Sequence, residues 1–289
     1  MIVLRWGNRV IVDRSEKILS CIDGYGRGLE IGPNYRPLAP KSAGYNVETL
    51  DWLDKSELIQ ECMRCGLDPS QVEEIDYVWR GERYADLVDL SRGRFDWIIA
   101  SHVVEHVPDL VAFLRDCEQI LNDRGVVVLA VPDKRYCFDR YRSISGLGEV
   151  LDRFFSERSR HSIGTLVEAH LYYSELDGNG AWGSASTGRA TLCNDVESAR
   201  ELLRARPERD AYIDGHGWCF VPSSFRLILQ DLWDLELVGL KEVCWFPSEG
   251  CEFLVSLGRH GDGPGLSRKQ LLEKIDRELA SVCASGGWG

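Results

Sequence analysis

GRGLEIGPNYRPLAPKSAGYNVETLD, residues 26–51, is the stretch on which the fold turns. Leu29, Glu30 and Ile31 read as a short buried strand that stops at Gly32, and a second apolar strand, residues 45–50, closes on Asp51. A glycine turn after the first strand of an open α/β sheet lets backbone approach a ligand, and an acid about 20 residues on binds ribose hydroxyls. Here an acid also stands inside the first strand, two positions before the glycine. That placement suits a ligand with a cationic amino-acid end better than a pyrophosphate.

With those residues the stretch resembles the first motif of the class I S-adenosylmethionine-dependent methyltransferases, Glu/Asp-x-Gly-x-Gly-x-Gly. The resemblance implies a Rossmann-like α/β fold, mostly parallel with an antiparallel last strand, and S-adenosyl-L-methionine as cofactor. Asn34 and Arg36 replace the second and third glycines, and Pro33, Pro37 and Pro40 leave no room for an ordinary first helix. The cofactor's methionine end is therefore expected on an irregular loop at Gly32, Pro33 and Asn34. Gly24, Gly26 and Gly28 precede the strand rather than follow it, which disfavours a nicotinamide dehydrogenase.

The chain has 289 residues, enough for one large domain or a domain with an appendage. Its net charge of -12 argues against a nucleic-acid-binding surface, which needs a basic stripe. Neither a signal peptide nor a membrane span is read in the sequence, so a soluble, cytoplasmic protein is expected. Ten cysteines form no framework. Cys62 and Cys65 make a single CxxC within a helical pattern, whereas a zinc ribbon wants two such pairs; most cysteines read as small buried apolar residues.

Outward from the opening stretch, residues 2–12 read as a strand or edge segment and residues 14–23 as a short helix. Ser56 is the expected cap of a helix running to residue 64. Residues 72–79 read as a third strand ending at Trp79 and Gly81, where the family places adenine contacts. FDWIIASHVVEHVPD, residues 95–109, supplies a buried strand (95–100), with Ser101 and His102 at its exit and Asp109 capping the helix at 110–121. That helix repeats its apolar residues at helical spacing. Gly125 closes the connection and residues 126–132 form the next strand. This order resembles the fourth and fifth motifs of the same enzymes.

Residues 138–215 break the rhythm and read as an insertion between the fifth strand and the last helix, placed to cover an acceptor as a lid. The helix at 223–235, capped by Ser223, precedes two closing antiparallel strands at 235–247 and 251–259. The expected division is 1–137 and 216–258 for the methyltransferase domain, 138–215 for the insertion, and 259–289 for a linker and C-terminal helix. That helix is expected to dock on its own domain or on a partner, including a second copy.

Methyl transfer is an in-line displacement in which alignment is worth up to roughly 7–11 kcal/mol. A sugar hydroxyl is a poor nucleophile, so an oxygen acceptor also wants a base, worth about 10²–10⁴-fold, or a metal. His102, Glu105 and His106 share one face at spacing i, i+3, i+4 and offer ligation for a divalent metal. They resemble the Glu-x-x-Glu-His of plant small-RNA 2′-O-methyltransferases, with His102 at the first glutamate and His170 or His216 as the later histidine. The bland alternative is that the Glu-His pair only orients the turn. Without a metal, His216 leads as general base, followed by His170 and Asp133. Lys134, Arg135, Arg140 and Arg142 offer a greeting for an anionic acceptor, or a solvated basic face.

VPDKRYCFDRYR, the proline-interrupted first loop and HGWCFVPSSF further resemble bacterial methyltransferase-domain proteins associated with cell-surface polysaccharide biosynthesis. That implies O-methylation of a glycan or sugar-bearing acceptor. The expected cofactor residues are Glu30, Gly32, Pro33, Asn34, Asp51, Trp79, Gly81, Ser101 and His102. A methyltransferase for a natural product shares every motif, and a non-catalytic cofactor-binding scaffold is the alternative of a different class.

Overall fold

The computed structural model describes residues 5–6, 9–10, 13–205 and 212–284. They fall into two compact units, one of residues 1–101 and 119–128 and the other of residues 102–118 and 129–289. Of the segment read as a strand at 2–12, β1 (Arg5–Trp6) and β2 (Arg9–Val10) form an antiparallel pair, and the rest lies outside the described residues.

In the first unit, α1 (Arg14–Leu19) starts at Asp13, whose carboxylate accepts the Ser15 N–H. β3 (Gly28–Ile31) and β4 (Val47–Asp51) are buried along their whole length, as parallel strands covered on both faces must be. Only a 3₁₀ turn, Lys41–Ala43, interrupts the proline-rich loop between them. α2 (Lys55–Arg64) is capped by Asp54, not Ser56: Asp54 Oδ1 accepts the Glu57 N–H at 2.9 Å and Glu57 accepts the Asp54 N–H at 2.9 Å. The Ser56 hydroxyl merely donates to Asp54.

β5 (Tyr77–Val78) is all that forms of the strand expected at 72–79. The acids of this segment explain the shortfall. Glu73 accepts the backbone N–H groups of Lys41 and Ser42, and Asp76 accepts that of Thr49, so side chains do the tethering that a ladder would do. After α3 (Tyr84–Leu87) comes β6 (Phe95–Ser101), parallel to β3 in the register Gly28–Trp97 to Ile31–Ala100. Gly28 is glycine for a packing reason, since a Cβ there would lie inside the Trp97 ring.

α4 (Leu110–Ile120) begins at Asp109, whose Oδ1 accepts the Ala112 N–H at 2.9 Å. It runs directly into β7 (Leu121–Pro132), which starts five residues before the strand expected at 126. Gly125 lies within that strand: a Cβ would stand 2.7 Å from the Leu121 side chain and 3.0 Å from the Asp96 carbonyl.

The second unit adds α5 (Leu147–Phe155), α6 (Ile163–Leu171), the two-residue strands β8 (Ser174–Glu175) and β9 (Thr191–Leu192), and α7 (Val196–Ala205). α8 (Pro222–Asp234) follows and is not capped by Ser223. Its start is fixed by Ser224 Oγ, which accepts the Val221 N–H at 3.0 Å, while Ser223 Oγ donates to Glu278. β10 (Lys241–Glu249) and β11 (Glu252–Gly258) pair antiparallel. The order of the seven-stranded sheet is β10-β11-β7-β6-β3-β4-β5. β10 is an edge strand, half exposed, and Pro247 sits in it between the register positions Phe246 and Glu249, where the pairing shifts.

α9 (Arg268–Ala284) docks on its own unit: Leu271 and Ile275 pack against Val221 and Leu227. Of the nine cysteines whose side chains are described, four are buried, including Cys62, while Cys65 of the CxxC is exposed, so fewer are core residues than expected.

Candidate functional site

In the first unit the candidate residues gather at the ends of β3 and β4. Gly32 (φ 67°) and Asn34 (φ 50°) both occupy the left-handed region, with Pro33 between them. Asn34 is not a glycine, and such backbone outliers cluster at ligand clamps and active sites. The Gly32 N–H is tied to Leu50 O at 2.8 Å. Glu30 holds the loop that follows. It is 2 % exposed, and its two oxygens accept the N–H groups of Leu38 (2.7 Å) and Ala39 (3.0 Å), so it fixes the loop itself. Burial pushes its carboxyl above the usual range, against those two N–H donors.

Asp51 is buried, with long contacts from the N–H groups of Asn34 (3.4 Å) and Leu53 (3.2 Å). Its carbonyl accepts the Trp79 N–H at 2.8 Å. Trp79 is half-buried and its indole donates to Glu82 O, while Gly81 (φ 115°) forms the turn that follows. Ser101 Oγ accepts a 2.6 Å bond from Arg14. A left-handed turn beside a buried acid is an arrangement in which a carboxylate can accept the hydroxyls of a nucleoside.

In the second unit the histidines converge on one acid. His102 (φ 54°) is left-handed at the end of β6, and the 3₁₀ turn Val104–His106 follows. Glu105 is 1 % exposed, and neither carboxylate oxygen has a hydrogen-bond partner. Around its Oε1 stand His102 Nδ1 at 3.4 Å, His106 Nε2 at 3.9 Å and His216 Nε2 at 3.9 Å. The opposite nitrogen of each ring is anchored: His102 Nε2 to Glu252 (2.7 Å), His106 Nδ1 to Asp214 (2.7 Å) and His216 Nδ1 to Asp139. Burial would push the Glu105 carboxyl up, but the three imidazoles outweigh it and hold it below the usual range. Burial would likewise lower His102, yet Glu105 and Glu252 push it up to about 9.

One ligand atom each from Glu105, His106 and His216 lie within 4.8 Å of one another. That close group holds His216 together with Glu105 and His106 of the set expected from sequence, while His102 Nε2 bonds Glu252. Of the two later histidines, His216 is the one that stands beside Glu105. His170 is elsewhere, with Nε2 on Ser198 Oγ at 2.8 Å. Asp133 is fully buried in a bidentate pair with Arg135 and also accepts the Ser248 hydroxyl, which suits a structural anchor better than a base. Lys134 and Arg142 are buried too, so that run of cations is no solvated face.

The sequence reading missed Asp139, Asp214 and Glu252. Asp214 lies two residues before His216 and Asp139 within the quoted CFDRYR, so proximity in sequence was the only available signal; nothing local marks Glu252.

A family model described as Methyltransferase domain matches residues 5–232. A ubiquinone biosynthesis O-methyltransferase of Rhodopseudomonas palustris (strain TIE-1) is 29 % identical over 125 residues, covering 43 % of this chain and 46 % of that protein. The mitochondrial ubiquinone biosynthesis O-methyltransferase of Homo sapiens is 32 % identical over 91 residues, 32 % of this chain and 24 % of that protein. The chain thus matches less than half the length of these curated relatives. Among solved structures, an S-adenosylmethionine-dependent methyltransferase from Mesorhizobium loti aligns with a TM-score of 0.42 and 13 % identity, over 83 % of this chain and 95 % of that one. The CcbJ methyltransferase from Streptomyces caelestis aligns with a TM-score of 0.43 and 10 % identity, over 84 % and 93 %.

Proposed function

The chain belongs to the Methyltransferase domain family, and from that premise we propose that it transfers a methyl group from S-adenosyl-L-methionine to a hydroxyl oxygen. The observation that carries this reading is the turn after β3, left-handed at Gly32 and Asn34, beside the buried carboxylate of Asp51. Asp51 binds the ribose hydroxyls, Gly32 to Asn34 present backbone to the amino-acid end, and Trp79 and Gly81 flank the adenine. Glu30 acts through the loop it holds. The cofactor, when bound, supplies the electrophilic methyl; the chain aligns it and excludes water.

A sugar-bearing acceptor is the substrate class we favour, supported by the likeness of residues 131–142 and 216–225 to proteins of polysaccharide biosynthesis. Segment 138–215 is the lid over that acceptor in this reading. A phenolic acceptor is the second reading, favoured by the relatives named for ubiquinone biosynthesis.

Calorimetry with S-adenosylhomocysteine tests the cofactor assignment. Binding to the wild-type chain that Asp51→Ala weakens at least tenfold is the expected result; no binding by a folded wild-type chain would favour a scaffold role and sink the proposal. Transfer of labelled methyl to panels of glycosides and catechols then separates the two acceptors, and labelling of catechols alone would overturn the sugar reading.

A further inference from the structure

We propose that Tyr173 and Phe138 form an acceptor subsite, their stacked rings taking the C–H face of a pyranose. The inference deepens the sugar reading above and rests on it.

Four rings of the second unit stand in a row. Tyr173 and Phe138 are stacked, with centroids 4.8 Å apart and planes 19° from parallel. Phe138 lies 4.5 Å from the His216 ring, and His216 meets His106 edge to face at 4.7 Å. The row thus passes from two apolar rings to two imidazoles. Phe138 comes shortly after Pro132, the carboxyl end of β7, and ligands of open α/β sheets sit beyond the carboxyl ends of the strands.

The stacked pair differs from the aromatic core of the same unit. Trp218, Phe220, Phe225 and Phe253 are 0–1 % exposed, whereas Tyr173 and Phe138 are only half-buried. Rings kept for packing alone gain by closing their faces to water, because buried apolar area is what stabilises them. This pair leaves part of that gain unused. The chain passes beside it as Gly180, where a Cβ would stand 3.0 Å from Tyr173 Oη and 3.5 Å from Phe138 Cδ1. Gly180 does not lie in the left-handed region, so glycine there spares room at the rings rather than easing a turn.

The stack is set before a ligand arrives. Phe138 O accepts the N–H and the hydroxyl of Ser174 at 3.1 Å each, and Tyr173 O accepts the Cys193 N–H at 3.1 Å. Asp139, next to Phe138 in the chain, bonds His216 Nδ1 and so ties the imidazole to the same segment. A rigid subsite of this kind spends little ordering entropy on binding.

The chemistry of the row fits a sugar. One face of a pyranose presents C–H bonds whose hydrogens carry partial positive charge, and the negative face of an aromatic ring attracts them. Its hydroxyls leave the ring edge, where they meet a phenol at one end of the row and imidazoles at the other. Aromatic walls with a few polar groups are the usual lining of small-molecule sites.

Saturation-transfer NMR on the full chain tests this, with methyl β-D-glucopyranoside, methyl β-D-galactopyranoside, methyl α-D-mannopyranoside and catechol as probes. At least one pyranoside should receive saturation mainly at the C–H protons of one ring face. Tyr173→Leu keeps an apolar side chain but no ring and should weaken that binding about 2–10-fold, while Tyr173→Phe retains it. Gly180→Ala crowds the rings from outside and should weaken it too. No transfer from any of the three pyranosides to the wild-type chain, transfer from catechol alone, or equal binding by wild type and Tyr173→Leu would overturn the proposal. If Tyr173→Leu does not fold, unchanged binding by Gly180→Ala overturns it instead. Calorimetry with S-adenosylhomocysteine keeps the two readings apart. Tyr173→Leu should bind it as the wild type does, because the proposed ribose and amino-acid contacts lie in the first unit. A wild-type chain that binds none fails the methyl-transfer reading, whatever the pyranosides show.

Discussion

Removing the Arg27 guanidinium tests what holds the edge of the first unit together. Arg27 makes a bidentate pair with Glu48, Nε to Oε1 at 2.9 Å and Nη2 to Oε2 at 2.8 Å, with side chains 8 % and 11 % exposed. It also donates to the carbonyls of Asp89 and Gly93 and lies 4.3 Å over the Phe95 ring. Glu48 in turn accepts from Tyr77 Oη at 2.6 Å and from Arg92 at 2.7 Å. Deleting one member of a buried pair costs about 3–5 kcal/mol, because the other is left uncompensated. Arg92, 58 % exposed, still reaches Glu48 and partly replaces the lost charge, so the lower end, about 3 kcal/mol, is expected for Arg27→Met.

Glu48→Gln should cost less, since the amide oxygen still accepts from Arg27, and the double variant should show coupling of about 1–3 kcal/mol. The pH dependence has a definite sign. Burial pushes the Glu48 carboxyl up, but Arg27 and Tyr77 outweigh it and hold it below the usual range. The pair's stabilisation is therefore complete above the unfolded carboxyl value of about 4.3 and fades as pH falls through the lower folded value. Urea unfolding at neutral pH and in acid reads both effects. A cost under about 1 kcal/mol for Arg27→Met, or a gap between wild type and Glu48→Gln that widens in acid, would refute the reasoning.

Gly28→Ala places a methyl inside the Trp97 ring and should cost about 1–3 kcal/mol or more; an unchanged melting temperature would contradict that packing. Leu271→Ala empties a fully buried position beneath α9 and should cost about 2–5 kcal/mol. Limited proteolysis should then cut within α9 before the rest of the chain, and equal resistance to wild type would mean that α9 is held by other contacts.

The alternation of strand and helix was legible because it rests on local signals. Leu29 to Gly32, residues 95–100 and Asp109 each carry their own apolar run or cap, and all three fall where the periodicity puts them. Boundaries failed where a side chain farther away competes for the backbone. Asp54 caps in place of Ser56 because its carboxylate reaches the Glu57 N–H, and ahead of β5 the Glu73 carboxylate, not a strand ladder, takes the N–H groups of Lys41 and Ser42. The Glu-His turn was visible as a ligand pattern. Which of His170 and His216 stands beside Glu105 was not legible, because it depends on Asp139 and Asp214 holding rings that lie far apart in sequence. The two N–H groups that the returning loop offers Glu30 were not legible for a similar reason, since they come from residues in a loop interrupted by three prolines.

That anchoring of residues 38 and 39 has a thermodynamic consequence. A segment with Pro33, Pro37 and Pro40, clipped at its far side by a buried carboxylate, has few shapes to surrender when a guest arrives. Whatever settles against it meets a mould already set, so association there releases heat and water without the entropic toll of freezing a loose chain.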